Sequence, residues 1–281
     1  MVTNRLRLTI IQSLHRLGLH DLIARYARRA LPGLLKNRGA LGERYILRGT
    51  GIEIGALHNP LTVGADATVR YVDRMDFESC VARYPELDPE TLVYPDIVDD
   101  GFELSSLAHE SYDFVIANHV LEHSPNPVQV LKNWCRVLKP GGLVFVSVPI
   151  ARTCFDRDRL LTTVEHILED YALGERGEWE SFRQRNLDHY LDWVRLSRPR
   201  ILEDSGRQVS HRTQEEIERH ARLLWNAGDE IHFHTFSESS FKDLLEASLT
   251  KALPDHHLHI YAPLGGEIVA ILKKVLTAGV N

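Results

Sequence analysis

The stretch from Tyr112 to Pro149, YDFVIANHVLEHSPNPVQVLKNWCRVLKPGGLVFVSVP, restricts the fold of this chain more than any other part of the sequence. Residues 112–118 form a mostly apolar run that is typical of a buried strand. Residues 128–138 place apolar side chains at helical spacing and end at Pro140-Gly141-Gly142, which stops a helix. Residues 143–149 form a second β-branched and apolar run. This order of strand, helix and strand predicts a parallel sheet with helices packed on its faces.

The same alternation extends to both sides of this stretch. Further predicted strands lie at 51–55 and 69–73, at a short third strand that ends at Asp96, and at 256–262 and 266–275. A helix is predicted at 236–248, where Thr235 and Glu238 have the spacing of a capping box. Residues 151–231 are charged and rich in Trp, Tyr and His, and they contain no convincing strand pattern. We therefore expect an α/β fold with a doubly wound, mostly parallel sheet and a helical insertion, which we call the lid.

Charge is distributed unevenly along the chain. Residues 1–48 carry ten Lys and Arg against two acidic residues, whereas the whole chain has a net charge of −6. Apolar residues at helical spacing over 3–31 predict one or two amphipathic helices in this basic arm. The arm can dock on the acidic body of the chain, or it can serve peripheral membrane binding or self-association. The acidic body argues against nucleic acid as a partner.

Other features of the sequence suggest where the protein works. No apolar run approaches the roughly 20 residues that span a bilayer, and the first residues do not have the pattern of a signal peptide. Three widely spaced cysteines indicate a reduced, cytoplasmic compartment. The predicted organisation is a helical arm (1–47), a core (48–150), the lid (151–231) and a final helix and strand pair (232–281) that completes the core.

Polar residues collect where the predicted parallel strands end. An open α/β sheet binds its ligand beyond these carboxyl ends. Glu53 and Gly55 end the first strand, Asp73 ends the second, and Asp96 ends the third. A carboxylate in the place of Asp73 offers two acceptors to the two hydroxyls of a ribose.

The motifs IEIG, YVD and PDIVDD, followed by the stretch 112–149, resemble those of class I S-adenosylmethionine-dependent methyltransferases. The resemblance covers about residues 50–150 and resumes at 232. It implies a seven-stranded sheet, S-adenosylmethionine as cofactor, and methyl transfer to an oxygen, or less readily a nitrogen, of a small-molecule or glycan-type substrate. The runs GIEIGALHNPL and FDRDRLLTTVEHILEDY are similar to bacterial methyltransferases of surface-polysaccharide and secondary-metabolite pathways.

The resemblance also implies which residues surround the cofactor. These are Glu53, Gly55, Ala56, His58, Asp73, Arg74, Asp96, Ile97, Asn118 and His119. The chain departs from the family pattern at Leu57 and Asn59, where further glycines are usual. This departure supports an alternative in which the chain is a non-catalytic binding or adaptor protein whose methyltransferase fold holds the cofactor, or nothing.

Histidines are the candidates for removing the acceptor proton, because their pKa lies near neutrality. The candidate catalytic residues are His123, His232, Glu122, His166, His189 and His234. His123 and His232 act either as base and orienting partner or as shared metal ligands.

A divalent metal is a second possible cofactor. Small-RNA 2′-O-methyltransferases and ubiquinone-pathway O-methyltransferases bind a divalent ion through E-x-x-E-H. This chain is similar, with His119, Glu122 and His123, and with His232 in the place of a later histidine that the small-RNA enzymes carry. A histidine at the first position disfavours magnesium and leaves zinc or manganese open. The alternative is that these residues bind no metal.

Overall fold

The computed structural model of the chain describes residues 37–46 and 48–276. Of the predicted arm, the description includes one helix, α1 (Arg38–Tyr45). The amphipathic helices predicted within 3–31 lie outside the described residues.

The described residues form a seven-stranded sheet in the order β3-β2-β1-β4-β5-β7-β6. Its strands are β1 (Arg48–Ile54), β2 (Asp66–Asp73), β3 (Ile97–Val98), β4 (Tyr112–Asn118), β5 (Leu138–Pro149), β6 (His256–Leu264) and β7 (Glu267–Lys274). Strands β1 to β5 pair in parallel, and β7 inserts antiparallel between β5 and β6. The predicted doubly wound, mostly parallel seven-stranded sheet is confirmed.

Helices cover both faces of this sheet and form the lid. They are α2 (Phe77–Arg83), α3 (Pro127–Arg136), α4 (Val164–Glu175), α5 (Trp179–Asp192), a π-helical turn (Trp193–Ser197), α6 (Arg198–Asp204), α7 (Gln214–Ala227) and α8 (Glu238–Lys251). None of the helices among the described residues has the length and apolar character needed to cross a membrane.

The central strands are buried on both faces, which explains their nearly continuous apolar sequence. In β4, Val115 and Ala117 face a large core cluster that includes Trp134 of α3. The alternate residues Phe114 and Ile116 face a second cluster on the side of α1. This alternation fixes the register of β4 and so places its carboxyl end at one edge of the sheet.

The lid packs over that edge. Tyr190 of α5, Val194 of the π-helical turn and Ala221 of α7 form a small apolar cluster with Ile231 and Phe233. The backbone N–H of Phe233 donates to the carbonyl of Glu122 at 2.8 Å. The segment that precedes α8 therefore connects the lid to the residues that follow β4.

Two local predictions were wrong. Helix α8 is capped by Ser237, which forms a capping box with Ser240, whereas the Thr235 hydroxyl donates to the Leu160 carbonyl at 2.7 Å. The third strand begins after Asp96 instead of ending there.

Candidate active site at the carboxyl edge of the sheet

The turn after β1 keeps a glycine-type backbone although it contains few glycines. Gly55 has φ 63° and Leu57 has φ 47°, so both lie in the left-handed region. A leucine pays a steric cost in this conformation that glycine does not. Ala56 lies between them, and His58 is exposed. Strained backbone of this kind is concentrated at functional sites.

Glu53 is buried beneath this turn. Its carboxylate accepts the backbone N–H of Leu61 at 2.9 and 3.1 Å and the amide of Asn118 at 3.3 Å. Asn118 in turn accepts the Ser147 hydroxyl at 3.0 Å. Burial raises the pKa of Glu53 to about 7. Glu53 and Asn118 thus fix the turn against β4 and β5.

Asp73 lies at the carboxyl end of β2, as predicted. Its carboxylate accepts the N–H of Met75 at 3.1 Å, and burial raises its pKa. The neighbouring Arg74 pairs with Glu230 of the segment before α8, with 2.9 Å between nitrogen and oxygen. This pair joins the β2 end of the edge to the segment that carries His232.

A narrow cleft of about 10 Å³ lies beside Asp73, lined in part by Ala56, Leu57 and Leu92. It is far smaller than the roughly 300–1,000 Å³ of a ligand pocket. The N–H of Val93 donates to the Leu57 carbonyl at 2.8 Å and closes the cleft from above. A ribose at Asp73 requires that this contact open.

Asp96 and Ile97 do not end the third strand. The Asp96 carboxylate accepts the N–H of Tyr71 at 2.8 Å, and Ile97 packs against the large core cluster. The residue at the carboxyl end of β3 is Asp99, which accepts the backbone N–H and the hydroxyl of Ser106 at 2.9 and 2.6 Å. The sequence prediction missed Asp99, although it lies three residues along in the same PDIVDD motif.

His119 follows β4 with a left-handed backbone, at φ 55°. Its Nε2 lies 2.9 Å from Glu267 Oε2, and its Nδ1 lies 3.8 Å from Glu122 Oε1. Because the ionised carboxylate of Glu267 can only accept, Nε2 of His119 is the donor in this hydrogen bond, and Nδ1 is the nitrogen on the side of Glu122. Burial would raise the pKa of Glu267, but His119 and Arg38 lower it.

Glu122 is fully buried, and neither of its carboxylate oxygens has a hydrogen-bond partner. Burial raises its pKa, although His232 and His119 oppose that shift. A buried carboxylate without partners carries a desolvation cost of several kcal/mol when it is charged. Glu122 is therefore the most poorly satisfied acidic group of the site.

His123 and His232 lie beside Glu122, with their ring centroids 4.6 Å apart. His123 Nδ1 lies 3.0 Å from the Ile231 carbonyl, so that this nitrogen is the donor. His232 Nδ1 lies 2.6 Å from Asp156 Oδ2, and its Nε2 lies 4.0 Å from Glu122 Oε1. Burial lowers the pKa of His123 to about 3, which keeps this ring neutral. Ligand atoms of Glu122, His123 and His232 lie within 4.8 Å of one another, and we call these residues the Glu122 cluster.

Asp156 is the residue that orients His232. The hydroxyl of Ser197 donates to its carboxylate at 2.6 Å, and Arg159 donates at 3.2 Å. Burial alone would raise the pKa of Asp156, but the hydrogen bond from His232 and the positive charge of Arg159 hold it below its ordinary value. The ionised carboxylate holds the proton of His232 on Nδ1 and leaves Nε2 as the acceptor.

The remaining candidate histidines form a second group in the lid. Ligand atoms of His166, His189 and His234 also lie within 4.8 Å of one another. His166 Nε2 lies 3.0 Å from both His189 Nε2 and Asp170 Oδ2. Burial lowers the pKa of His189 to about 3 and that of His234 well below its ordinary value.

Within this second group, His166 and His189 of the lid are partnered by protein groups, whereas both ring nitrogens of His234, in the segment before α8, are buried without a hydrogen-bond partner. Arg185 donates to His166 Nδ1 at 3.2 Å and to the Asp170 carboxylate at 2.7 Å. His166 therefore carries its proton on Nε2, where it is shared with His189. We interpret this group as part of the lid's packing against the site, distinct from the Glu122 cluster.

Glu267 and Arg159 are further side chains that contact the candidate site and that the sequence did not predict. Glu267 is an acidic residue at the start of the apolar strand β7, and this placement was the available signal. Arg159 donates to the carbonyls of His232 and Phe233 at 2.7 and 3.0 Å. Its role depends on a contact 73 residues along the chain, which no local pattern reveals.

Comparison with known proteins agrees with this geometry. A family model described as "Methyltransferase domain" matches residues 49–146, which contain β1 to β4 and most of β5. Residues 49–146 of the chain therefore match a methyltransferase domain. The ends of β1, β2 and β4 within this methyltransferase domain carry Glu53, Asp73 and Asn118.

Several curated proteins are similar to the chain over part of their length. The ubiquinone biosynthesis O-methyltransferase of Paracidovorax citrulli (strain AAC00-1) is 37% identical over 153 residues, which are 53% of this chain and 60% of that protein. The enzyme of the same name from Actinobacillus pleuropneumoniae serotype 7 (strain AP76) is 26% identical over 174 residues, 61% of this chain and 71% of that protein. The chain thus spans about three fifths of the first of these relatives.

A solved structure of a SAM-dependent methyltransferase from Aquifex aeolicus has a TM-score of 0.42 and 11% identity, with 86% of this chain and 91% of that chain covered. The assignment of the methyltransferase domain rests on the sequence match and the sheet order, not on this likeness.

Proposed function

We propose that the chain is an S-adenosylmethionine-dependent methyltransferase that transfers the methyl group to an oxygen of a small-molecule or glycan-type substrate. The observation that carries this proposal is the joining of two sites at one edge of the sheet. The Arg74–Glu230 ion pair connects the end of β2, beside Asp73, with the segment that carries His232 of the Glu122 cluster. The names of the similar ubiquinone biosynthesis O-methyltransferases support oxygen as the acceptor atom.

On this proposal the edge binds S-adenosylmethionine from β1 to β4. Asp73 accepts the ribose hydroxyls, and the left-handed turn at Gly55 and Leu57 approaches the methionine end. Glu53 keeps the turn in place through Leu61. Asp99, at the end of β3, replaces Asp96 as the acidic residue of the adenine side.

The acceptor lies at the Glu122 cluster. The sulfonium already activates the methyl group, so that the protein has to align the acceptor and remove its proton. His232 Nε2 is the free acceptor nitrogen, and Asp156 stabilises the ring once it becomes charged. His232 is therefore the proposed general base, with Asp156 as its positioning residue.

The same residues also fit a divalent cation. Glu122 supplies two buried oxygens without hydrogen-bond partners, and His123 and His232 each donate Nδ1–H to a protein oxygen, which leaves Nε2 for a metal. His119 Nδ1 also faces Glu122. A set of imidazoles and one carboxylate suits zinc or manganese better than magnesium. When bound there, the metal would lower the pKa of an acceptor hydroxyl.

Metal analysis separates the two roles of the cluster. The purified protein is dialysed against zinc or manganese and then measured by elemental mass spectrometry. One ion per chain, lost in Glu122→Gln and retained in Glu165→Gln on the exposed lid surface, supports the metal role. An equal metal content in both variants would show that Glu122 binds no metal, and His232 would then act only as a general base.

The function itself is tested by incubating the protein with S-adenosylmethionine and a metabolite extract. We expect one compound to gain ~14 Da, because one methyl group replaces one acceptor proton. S-adenosylhomocysteine should form in the same amount. Absence of both products with a protein that binds the cofactor would favour the non-catalytic alternative, which the narrow cleft beside Asp73 also supports.

We further propose that residues 151–231 act as a lid that recognises the substrate and that residues 232–281 complete the core. The acceptor would then be held between the lid histidines and the Glu122 cluster.

A further inference from the structure

A second cavity lies within the lid, away from the cofactor edge. Its volume is about 190 Å³, and its walls are the π-helical turn, the start of α6 and residues 208–217. At water's share of liquid volume, ~30 Å³, it has room for about six water molecules, more than one phosphate group needs. The polar groups on its walls include Arg195, Arg198, Ser210 and Arg212.

Two arginines of this cavity, Arg198 and Arg212, have no salt-bridge partner among the described residues, whereas Arg195 lies 4.0 Å from the Asp192 carboxylate. Arg198 and Arg212 are both half-buried. The nearby Glu216 uses its carboxylate to accept the Thr213 N–H at 2.8 Å. Burial and the charge of Arg212 together lower the pKa of Arg198. Two like charges that share one cavity and have no direct ion-pair partner are unfavourable unless an anion joins them.

His220 lies between the two guanidinium groups and can accept a hydrogen bond from only one of them. Arg198 lies 3.0 Å from His220 Nε2, and Arg212 lies 3.0 Å from His220 Nδ1. A neutral imidazole has a single acceptor nitrogen, and the other nitrogen carries a proton. Only one of the two contacts is therefore a hydrogen bond. In addition, Arg198 Nε is buried without a hydrogen-bond partner.

We propose that this cavity binds a phosphate-class oxyanion between Arg198 and Arg212, with Arg195 at its rim. An oxyanion supplies the acceptors that His220 cannot, and guanidinium groups recognise phosphate through several parallel hydrogen bonds. The room beyond one phosphate admits an attached organic group. This proposal does not rest on the methyltransferase function.

The cavity adjoins the candidate active site through the π-helical turn. Ser197 of this turn donates to Asp156, and Trp193 packs against His232 with 5.7 Å between ring centroids. Arg195 and Arg198 project from the same stretch of chain. Single π-turns of this kind are frequent at functional sites.

The test is the thermal stability of the whole protein in inorganic phosphate, with sodium chloride of matched ionic strength as reference. Once the phosphate concentration exceeds the Kd, each further tenfold increase in that concentration should raise the Tm by about 2–3 °C in a chain of this size. The double variant Arg198→Gln/Arg212→Gln should lose this rise. The matched variant Arg207→Gln/Arg222→Gln, in which both arginines are exposed and line no part of the cavity, should keep it.

The variants remain informative if folding is affected. Removal of two like charges should leave the double variant at least as stable as the wild type in chloride, and the single variant Arg212→Gln carries the same test. A wild-type Tm that rises no more in phosphate than in chloride overturns the proposal. So does a phosphate-dependent rise that persists in both Arg198 and Arg212 variants.

Uridine 5′-diphosphate, titrated in parallel, identifies the source of the anion. Binding at least tenfold tighter than that of phosphate, and lost in the double variant, assigns the cavity to an organic phosphate. Equal binding of both, again lost in the double variant, assigns it to the free anion.

Discussion

At the scale of single residues, the site contains residues whose backbone conformation or whose burial is energetically unfavourable. Leu57 and His119 have left-handed backbones, and Glu122 is buried without partners. Such costs persist when the surrounding structure imposes them, which is common where a ligand or a reaction has to be accommodated. The sequence offered one sign of the strain at Leu57, since glycine is usual at this position in the family that the chain resembles, and the φ value itself follows only from the structure of the whole turn.

Leu57→Gly should be more stable than Leu57→Ala by about 1 kcal/mol, because only glycine relieves the left-handed strain. The measurement is urea denaturation of both variants. The pair Leu223→Gly and Leu223→Ala in helix α7 is the matched control, since Leu223 is 62% exposed and there alanine should be the more stable by about 1 kcal/mol. The same order at both positions would contradict strain at Leu57.

Asp156→Asn should reduce the rate of methyl transfer by ~10²–10⁴-fold without weakening cofactor binding, because the amide no longer fixes the tautomer of His232. Turnover and cofactor affinity are measured on the same preparation. Asp158→Asn is the control, since Asp158 is exposed and pairs with Arg200 on the surface. Full activity in Asp156→Asn would show that the hydrogen bond between Asp156 and His232 has no part in the mechanism.

At the scale of elements, the hydrophobic pattern of the sequence predicted which strands and helices form, but it predicted their caps and end residues less well. Strands β4 and β5 and helix α3 followed from apolar periodicity alone, since burial on both faces leaves a clear pattern. The cap of α8 did not, because Thr235 is taken up by the Leu160 carbonyl, a contact 75 residues away. Asp96 was misassigned for a similar reason, because a two-residue strand leaves almost no pattern.

The site was predictable to the same extent. His123, Glu122 and His232 came together because the topology brings the end of β4 to the segment before α8. Asp156, which orients His232, and Glu267, which contacts His119, come from distant parts of the chain, so these contacts follow from the tertiary structure.

We expect the segment from Pro89 to Pro95 to move if the cofactor binds at Asp73. Its Val93 N–H closes on the Leu57 carbonyl and leaves the cleft beside Asp73 too small for a ribose. We expect the observed rate of S-adenosylmethionine binding to level off at high concentration, since opening precedes binding. Stopped-flow tryptophan fluorescence measures it, because Trp134 donates to the Gly101 carbonyl at the same edge. A rate that rises linearly throughout would show that the cleft is open without a prior step.

At the scale of the whole molecule, buried neutral histidines make the fold sensitive to acid. The pKa of His189 falls to about 3 in the fold, against roughly 6.5 in the unfolded chain. Between these values only the unfolded chain binds the proton, so stability falls as pH falls, by up to ~1.4 kcal/mol per pH unit. Glu53 acts in the opposite sense between about 4.5 and 7, because burial raises its pKa.

His189→Gln should therefore lose less stability than the wild type between pH 6.5 and pH 4.5, by about 1 kcal/mol per pH unit. The contribution of Glu53 to the pH dependence of stability is the same in the wild type and in each single variant, so it cancels when their slopes are compared. Urea denaturation at three pH values measures the slopes, and His211→Gln, at an exposed position, should follow the wild type. Parallel slopes for His189→Gln and the wild type would show that His189 takes up its proton without unfolding.

The central claim is that the carboxyl edge of the sheet binds S-adenosylmethionine through Asp73. Isothermal titration calorimetry of the full chain tests it most directly. We predict one cofactor per chain in the wild type and an affinity about 10- to 150-fold lower in Asp73→Ala, because a charge-assisted pair of hydrogen bonds is worth roughly 1.5–3 kcal/mol. Asp66→Ala, at the other end of β2, should bind like the wild type. No binding by the wild type, or equal affinity in Asp73→Ala, would contradict the account.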